Sequence, residues 1–219
     1  MPLHRISSLK NGYTLGLWHI TEMPEELLAL ASLSTEEQGF YQQLSNTQRR
    51  LHWLAWRALI KKLTGNPAIE ITYQENGKPL VRDQSLQISV SHAGPWAACL
   101  LHSSEPVGVD VESVRPRILK IKERFLSSRE IQWHAKSTDD LRHLTILWCI
   151  KEAVFKFAGI SGLDYRNQIN ILPFHSLSEG QASCQLIPRD GYLKEILLYY
   201  EDIDSEHVIA YVAETNSVQ

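Results

Sequence analysis

The sequence predicts an α+β protein of two similar α/β halves related by a pseudo-twofold, each a small antiparallel sheet packed with helices. Three observations predict it. The order strand, helices, strands occurs twice along the 219 residues, a pattern that reads as α+β. Each half holds one long stretch with apolar residues at helical spacing. Short strand-like runs follow each of those stretches. The join falls near residues 103–106, dividing the chain into an N-terminal half, 1–104, and a C-terminal half, 105–219. The likeness is one of element order, without a residue-level repeat.

Residues 14–20 (TLGLWHI) form the first expected strand. Ser34-Thr-Glu-Glu37 has the form of a capping box, in which a serine and a glutamate three residues on satisfy each other's backbone amides. Asn46 or Thr47 opens a longer helix that Gly65 closes. Its apolar stripe is Leu51, Leu54, Ala55, Ala58, Leu59 and Leu63, while Arg50, Arg57 and Lys61 share another face. Strands are expected at 69–73, 86–90 and 96–102, with Asn76-Gly77 as a turn. In the second half, 107–112 is a strand and 118–125 and 128–136 are helical. A long helix follows over 139–158, with Thr138 as its cap and Gly159 as its stop. Further strands are expected at 169–172, 182–187, 193–200 and 208–213.

Hydrophobic residues make up 43% of the chain and charged residues 21%, the balance of a soluble globular protein. The formal net charge of −3 argues against a general nucleic-acid binder, so any attraction for an acidic partner must be local. The three cysteines, Cys99, Cys149 and Cys184, are far apart and form no CxxC pair, which speaks against a disulfide framework or a structural zinc site. Free thiols fit a reducing compartment. The N-terminus has no apolar h-region, and no apolar run approaches a membrane-spanning length. The expectation is a cytoplasmic protein with neither membrane nor nucleic acid as partner. Neither GxxxxGK[ST] nor GxGxxG occurs.

Two segments carry chemistry. In Val107-Gly-Val-Asp-Val-Glu112, strand alternation puts the three valines on one face and Gly108, Asp110 and Glu112 on the other. The two carboxylates then stand about 7 Å apart at their Cα atoms and can converge on one cation, with Gly108 leaving room for a ligand beside them. Like charges this close repel unless a cation or proton intervenes, and oxygen donors favour magnesium or calcium over zinc. A solvated polar face on an edge strand is the other reading. In Trp148-Cys-Ile-Lys-Glu-Ala-Val-Phe-Lys156, the helix is apolar on most sides, with Glu152 between Trp148 and Phe155 on one face. A buried carboxylate needs a partner. Lys156, one turn on, offers an ion pair; the alternative is that Glu152 is a third metal ligand and Lys156 meets a phosphate.

The pair GVDVE (108–112) and WCIKEAVFK (148–156) resembles the (V/I)G(V/I)D(V/I)E and (F/W)xxKEAxxK signatures of phosphopantetheinyl transferases. Ser89-Val-Ser-His-Ala-Gly94 is similar to the family's xxSHSG segment, Asn76-Gly-Lys-Pro79 to its GKP turn, and RRLHWLAWRAL (49–59) to its RRxxWLAxRALL helix. The five segments stand in the expected order between Arg49 and Gly159. Chain length resembles the Sfp-type branch, two-halved and monomeric, rather than the short trimeric synthases.

The resemblance implies a magnesium-dependent enzyme. It would transfer the 4'-phosphopantetheine group of coenzyme A to a serine of an apo acyl or peptidyl carrier protein and release adenosine 3',5'-bisphosphate. Coenzyme A would bind in the cleft between the halves. By the same resemblance Asp110, Glu112 and Glu152 are the metal-binding acids, Glu152 is also the general base, directly or through water, and Lys156 meets phosphate charge. Arg50, Lys78, Ser91 and His92 are the implied nucleotide contacts, with Arg49 and His52 as further candidates for the basic one. The chain departs from the family at Thr35-Glu-Glu-Gln-Gly39, where some relatives carry basic residues, and at SHAG in place of SHSG. Two other readings remain: a non-catalytic coenzyme A or carrier-protein binding module, and another magnesium-dependent phosphoryl or nucleotidyl transferase. Arg115, Arg117, Lys120, Lys122, Arg124 and Arg129 form a basic cluster, read either as a solvated face or as a dock for an acidic carrier helix.

Overall fold

Two antiparallel sheets, each crossed by one long helix, organise the chain. The computed structural model describes residues 3–134, 140–174, 178–188 and 193–216, and the chain divides into two units, Met1–Pro106 and Val107–Gln219. The first unit holds β1 (Leu3–Ser8), β2 (Thr14–His19), α1 (Pro24–Ala31), α2 (Thr35–Gln43), α3 (Thr47–Thr64), β3 (Ile71–Tyr73), β4 (Pro79–Val81), β5 (Gln87–Ala93) and β6 (Trp96–His102). The second holds β7 (Val109–Ser113), α4 (Arg117–Phe125), α5 (Ser128–His134), α6 (Asp140–Ala158), β8 (Ile169–Ile171), β9 (Glu179–Leu186), β10 (Lys194–Asp202) and β11 (His207–Asn216).

The sheet of the first unit runs β1-β2-β6-β5, with β3-β4 a separate hairpin; that of the second runs β7-β11-β10-β9-β8. In both, the strand before the helices (β2, β7) pairs with the last strand of the unit (β6, β11), which pairs in turn with the one before it (β5, β10). The expected α+β class with two similar halves is therefore what the topology shows.

Local chemistry explains the helix ends. Ser34 Oγ accepts from Glu37 N at 3.2 Å while Glu37 Oε2 accepts from Ser34 N at 3.1 Å, which closes the expected capping box. Asn46 Oδ1 accepts from Arg49 N at 2.8 Å. Gly65 and Gly159 end α3 and α6 at φ +64° and +63°, a left-handed conformation that glycine adopts without a steric cost. The apolar stripe of α3 (Leu54, Ala55, Ala58, Leu59) is buried, and α3 contacts β2, β5 and β6. In the second unit α6 lies on β7, β11, β10 and β8, and its Leu144, Leu147, Ile150, Ala153 and Val154 join Cys184, Ile196, Leu198, Val208 and Ala210 in one core.

Three elements were not expected from sequence. The edge strand β1 alternates in burial but spends polar residues (LHRISS) on its length. Helix α1 starts on an apolar N-cap, Met23, although Pro24 at N1 and the acidic first turn are genuine start signals. Strand β4 is three residues long and includes a proline. The end of the helix expected over 128–136 and the cap expected at Thr138 lie outside the described residues. Arg57 and Lys61, grouped by helical spacing with Arg50, are buried. Arg57 Nε donates to Glu37 Oε1 at 2.9 Å and Nη2 to Tyr73 Oη at 2.9 Å; its guanidinium stacks 3.3 Å over Trp53. Lys61 Nζ donates to Ser32 O at 2.6 Å.

Candidate active site

The alternation of the acidic strand is realised. Val107, Val109 and Val111 are buried on one face, while Gly108, Asp110 and Glu112 face α6. Gly108 does not leave space for a ligand, as its sequence context suggested. A Cβ there would lie 2.1 Å from the Ala153 carbonyl oxygen and 2.7 Å from Phe157 Cβ. The space belongs to α6, and the missing side chain lets the helix approach the strand. That approach brings Lys156 Nζ to 2.7 Å from Asp110 Oδ1 and 3.1 Å from Val109 O. About two turns toward the helix start, Trp148 Nε1 donates to Glu112 Oε1 at 2.7 Å. Between them, Cys149 Sγ lies 3.2 Å from Asp110 O.

Asp110 is buried, so the acidic face is not the solvated face of a free edge strand. The Lys156 ammonium pairs with Asp110 on the strand, and its charge also acts on Glu152, one turn back on the helix. The Tyr165 phenol lies close enough to Glu152 for each to act on the other's ionisation. The Glu152 carboxyl is pushed above the ordinary glutamate range by burial and then by the charge of Asp110, against the opposing pull of Lys156 and Tyr165. Glu112 is raised to about 7, again by burial first and Asp110 second, despite the Trp148 hydrogen bond. The Tyr165 phenol is pushed far up by burial and by Glu152, so it stays a donor.

The structure thus brings Asp110, Glu112, Glu152 and Lys156 within electrostatic reach of one another. Three carboxylates against one ammonium leave surplus negative charge, and a donor set of oxygens alone suits a hard divalent cation such as magnesium. Among the described residues no three such side chains converge closely enough to hold an ion as they stand; the Lys156 ammonium pairs with Asp110. In donor chemistry and charge the residues fit the ion.

The other residues singled out from sequence lie in the first unit. Ser91 and His92 end β5, and the His92 ring stacks on that of His52 from α3, 4.2 Å between centroids. Lys78 is half-buried where Asn76-Gly77 turns into β4, with Gly77 at φ +83° and Lys78 N bonded to Asn76 Oδ1 at 3.0 Å; burial lowers its pKa. Arg50 turns back along the chain: Nε donates to Leu44 O, Nη2 to Gln42 O at 3.4 Å, and the guanidinium lies 5.3 Å over Tyr41. Its neighbour Arg49 is exposed. Sequence reasoning missed Tyr165. The apolar face carrying Trp148 and Phe155 was visible, but nothing in the sequence says which aromatic covers it.

A family model described as "4'-phosphopantetheinyl transferase superfamily" matches residues 106–212, the stretch that carries all four of these charged side chains. A 4'-phosphopantetheinyl transferase of Bacillus subtilis is 30% identical over 203 residues, 86% of this chain and 85% of that one. The 4'-phosphopantetheinyl transferase AcpT of Escherichia coli K12 is 35% identical over 129 residues, 55% of this chain and 64% of its own. Sfp of Bacillus subtilis strain 168 is 34% identical over 126 residues, 54% of this chain. The chain belongs to the 4'-phosphopantetheinyl transferase superfamily. Several matches span only part of the relative's length: 63% for one from Haemophilus influenzae, 56% for psf-1 of Bacillus pumilus and 52% for Sfp. No helix among the described residues is long and apolar enough to cross a membrane.

Proposed function

We propose that this protein transfers the 4'-phosphopantetheine group of coenzyme A to a serine of an apo acyl or peptidyl carrier protein, with magnesium, and releases adenosine 3',5'-bisphosphate. The observation that carries the reading is the meeting of Asp110, Glu112, Glu152 and Lys156 where α6 covers β7, in a member of this superfamily. Asp110, Glu112 and Glu152 would hold magnesium, which when bound supplies charge neutralisation to a diphosphate.

The chain's own groups divide the remaining work. The serine oxygen forms a bond to the β-phosphorus as the bond from that phosphorus to the bridging oxygen breaks. The serine proton passes to Glu152, and the bridging oxygen leaves on the adenosine bisphosphate. Phosphoryl transfer of this kind is governed by positioning and charge neutralisation more than by covalent help. Lys156, on a flexible stem beside Asp110, would meet the charge that develops on the 5'-phosphate of the leaving adenosine bisphosphate. Lys78, whose burial disfavours its own charge, gains from an arriving phosphate. Ser91, His92 and Arg50 complete the nucleotide contacts in this reading. Exposed Arg117, Lys120 and Arg124 on α4, with exposed Leu119 between them, suit an acidic amphipathic helix of the carrier. The working form would be a monomer in the cytoplasm, where three buried free thiols remain reduced.

The test is to incubate the protein with coenzyme A, magnesium and an apo carrier and to weigh the carrier intact. A gain of one phosphopantetheine, abolished by a chelator and by Asp110→Ala, is the expected result. No gain with acyl, peptidyl and aryl carriers alike, in folded protein that still binds coenzyme A, would replace the enzyme with a binding module.

A further inference from the structure

The segment between α6 and β8 carries no motif, yet it is held by hydrogen bonds within itself and from α6. Asp164 Oδ1 accepts from Arg166 N at 2.9 Å and Asn167 N at 3.2 Å, and Asp164 O accepts from Gln168 N at 2.8 Å. From inside, Lys151 Nζ donates to Tyr165 O, Ile169 O and Glu130 Oε2 at 2.7, 2.7 and 2.8 Å. Glu130 is held in turn: its Oε1 accepts from Ile171 N at 2.9 Å and its Oε2 from Ser127 N at 2.7 Å. Lys151 is fully buried, and a buried ammonium must keep its acceptors close, because an unpaired buried charge is costly. The backbone at Tyr165 is therefore pinned.

Its ring is pinned as well. It stacks on Trp148 (5.5 Å, 20°) and on Phe155 (5.2 Å, 20°). These two residues bracket Glu152 on one face of α6, at i−4 and i+3. Lys151 and Glu152 are consecutive: the first grips the loop's backbone, and the second lies on the helix face that the loop's ring covers.

We propose that Tyr165 is a positioning residue for Glu152, its ring clamped by Trp148 and Phe155 and its backbone tethered by Lys151, so that the phenol hydroxyl fixes which way the carboxylate faces. This rests on the reading that Glu152 acts on the carrier serine. The phenol touches neither substrate nor cation; it acts through Glu152. A carboxylate on a flexible two-carbon stem has several rotamers, and a donor held rigidly on one of its oxygens selects among them.

The variant Tyr165→Phe keeps the stacked ring and removes the donor. In the transfer assay its kcat should fall about tenfold to a hundredfold, the usual cost of an outer-shell partner, with KM for coenzyme A and carrier unchanged. Combining it with Glu152→Gln should cost little beyond Glu152→Gln alone, because both changes act on one group. A purely structural role would lower stability and add to the second mutation. The pairing is also read without turnover. In substrate-free protein the 13Cζ resonance of Tyr165, assigned by its loss in Tyr165→Phe, should move on Glu152→Gln and stay in place on Glu195→Gln. An unmoved resonance, or wild-type kcat in Tyr165→Phe, would overturn the inference while leaving the transferase reading intact. A wild type inactive on every carrier, with the resonance still moved by Glu152→Gln, would overturn the transferase reading and support the pairing.

Discussion

Glu112 is the residue whose surroundings oppose its own ionisation most visibly. Burial and the Asp110 charge push it to about 7, and the only relief besides Lys156 is a hydrogen bond from Trp148. A carboxyl raised in the folded state binds its proton more tightly there than in the unfolded chain, so stability falls as pH rises from the ordinary glutamate value to the raised one. Below that window the group costs nothing; above it the full cost, on the order of 3 kcal/mol, is present. With a chelator present, Glu112→Gln should therefore melt above the wild type at about pH 8 and level with it at about pH 4. The amide can still accept from Trp148, so the comparison isolates the charge. Equal melting temperatures at the higher pH would show that Asp110 and burial do not act on Glu112 as described. The same substitution should abolish transfer, since the carboxylate that costs stability is one of the three offered to the cation.

At the scale of elements, the site depends on how closely α6 approaches β7, and one missing side chain sets that distance. Alanine at 108 would place its Cβ against backbone, the Ala153 carbonyl at 2.1 Å, which cannot swing aside as a side chain could. Gly108→Ala should lower the unfolding free energy by about 2–3 kcal/mol through overpacking. It should also weaken transfer, because the displaced helix carries Lys156 away from Asp110 and Trp148 away from Glu112. Denaturant midpoints report the first effect and carrier mass the second. An unchanged midpoint would mean that the helix does not rest on this glycine. Sequence reasoning located strand and helix correctly and gave the glycine a ligand-side role; contact between two elements 36 residues apart in the chain, Glu112 to Trp148, is not written in either of them.

For the whole molecule, two separate cores make a joint prediction through the thiols. Cys99 lies in the core of the first unit, Cys149 and Cys184 in that of the second, all fully buried. Burial raises all three, Cys184 to about 12, and the thiolate is the reactive form. An aromatic disulfide reagent should release no colour from native protein and three equivalents from denatured protein. Rapid labelling of one thiol in the native state would show that its core opens where the structure keeps it closed.

The sequence by itself determined the local features. Caps and stops at Ser34, Asn46, Gly65 and Gly159 set helix ends, because a backbone amide or carbonyl left over at a terminus is satisfied within a few residues. The alternation of 107–112 follows from side-chain period alone, and the strand over 96–102 from a short, continuous and wholly buried run. Tertiary structure decided the partners. Lys156 reaches Asp110 across from its own helix, Arg57 and Lys61 are buried and bonded to Glu37 and Ser32, and Tyr165 comes from a stretch without a motif to cover the face that carries Glu152. A charged or polar side chain is satisfied by whichever group the fold brings nearest. That group is chosen by the packing of elements distant in sequence, which no local pattern encodes.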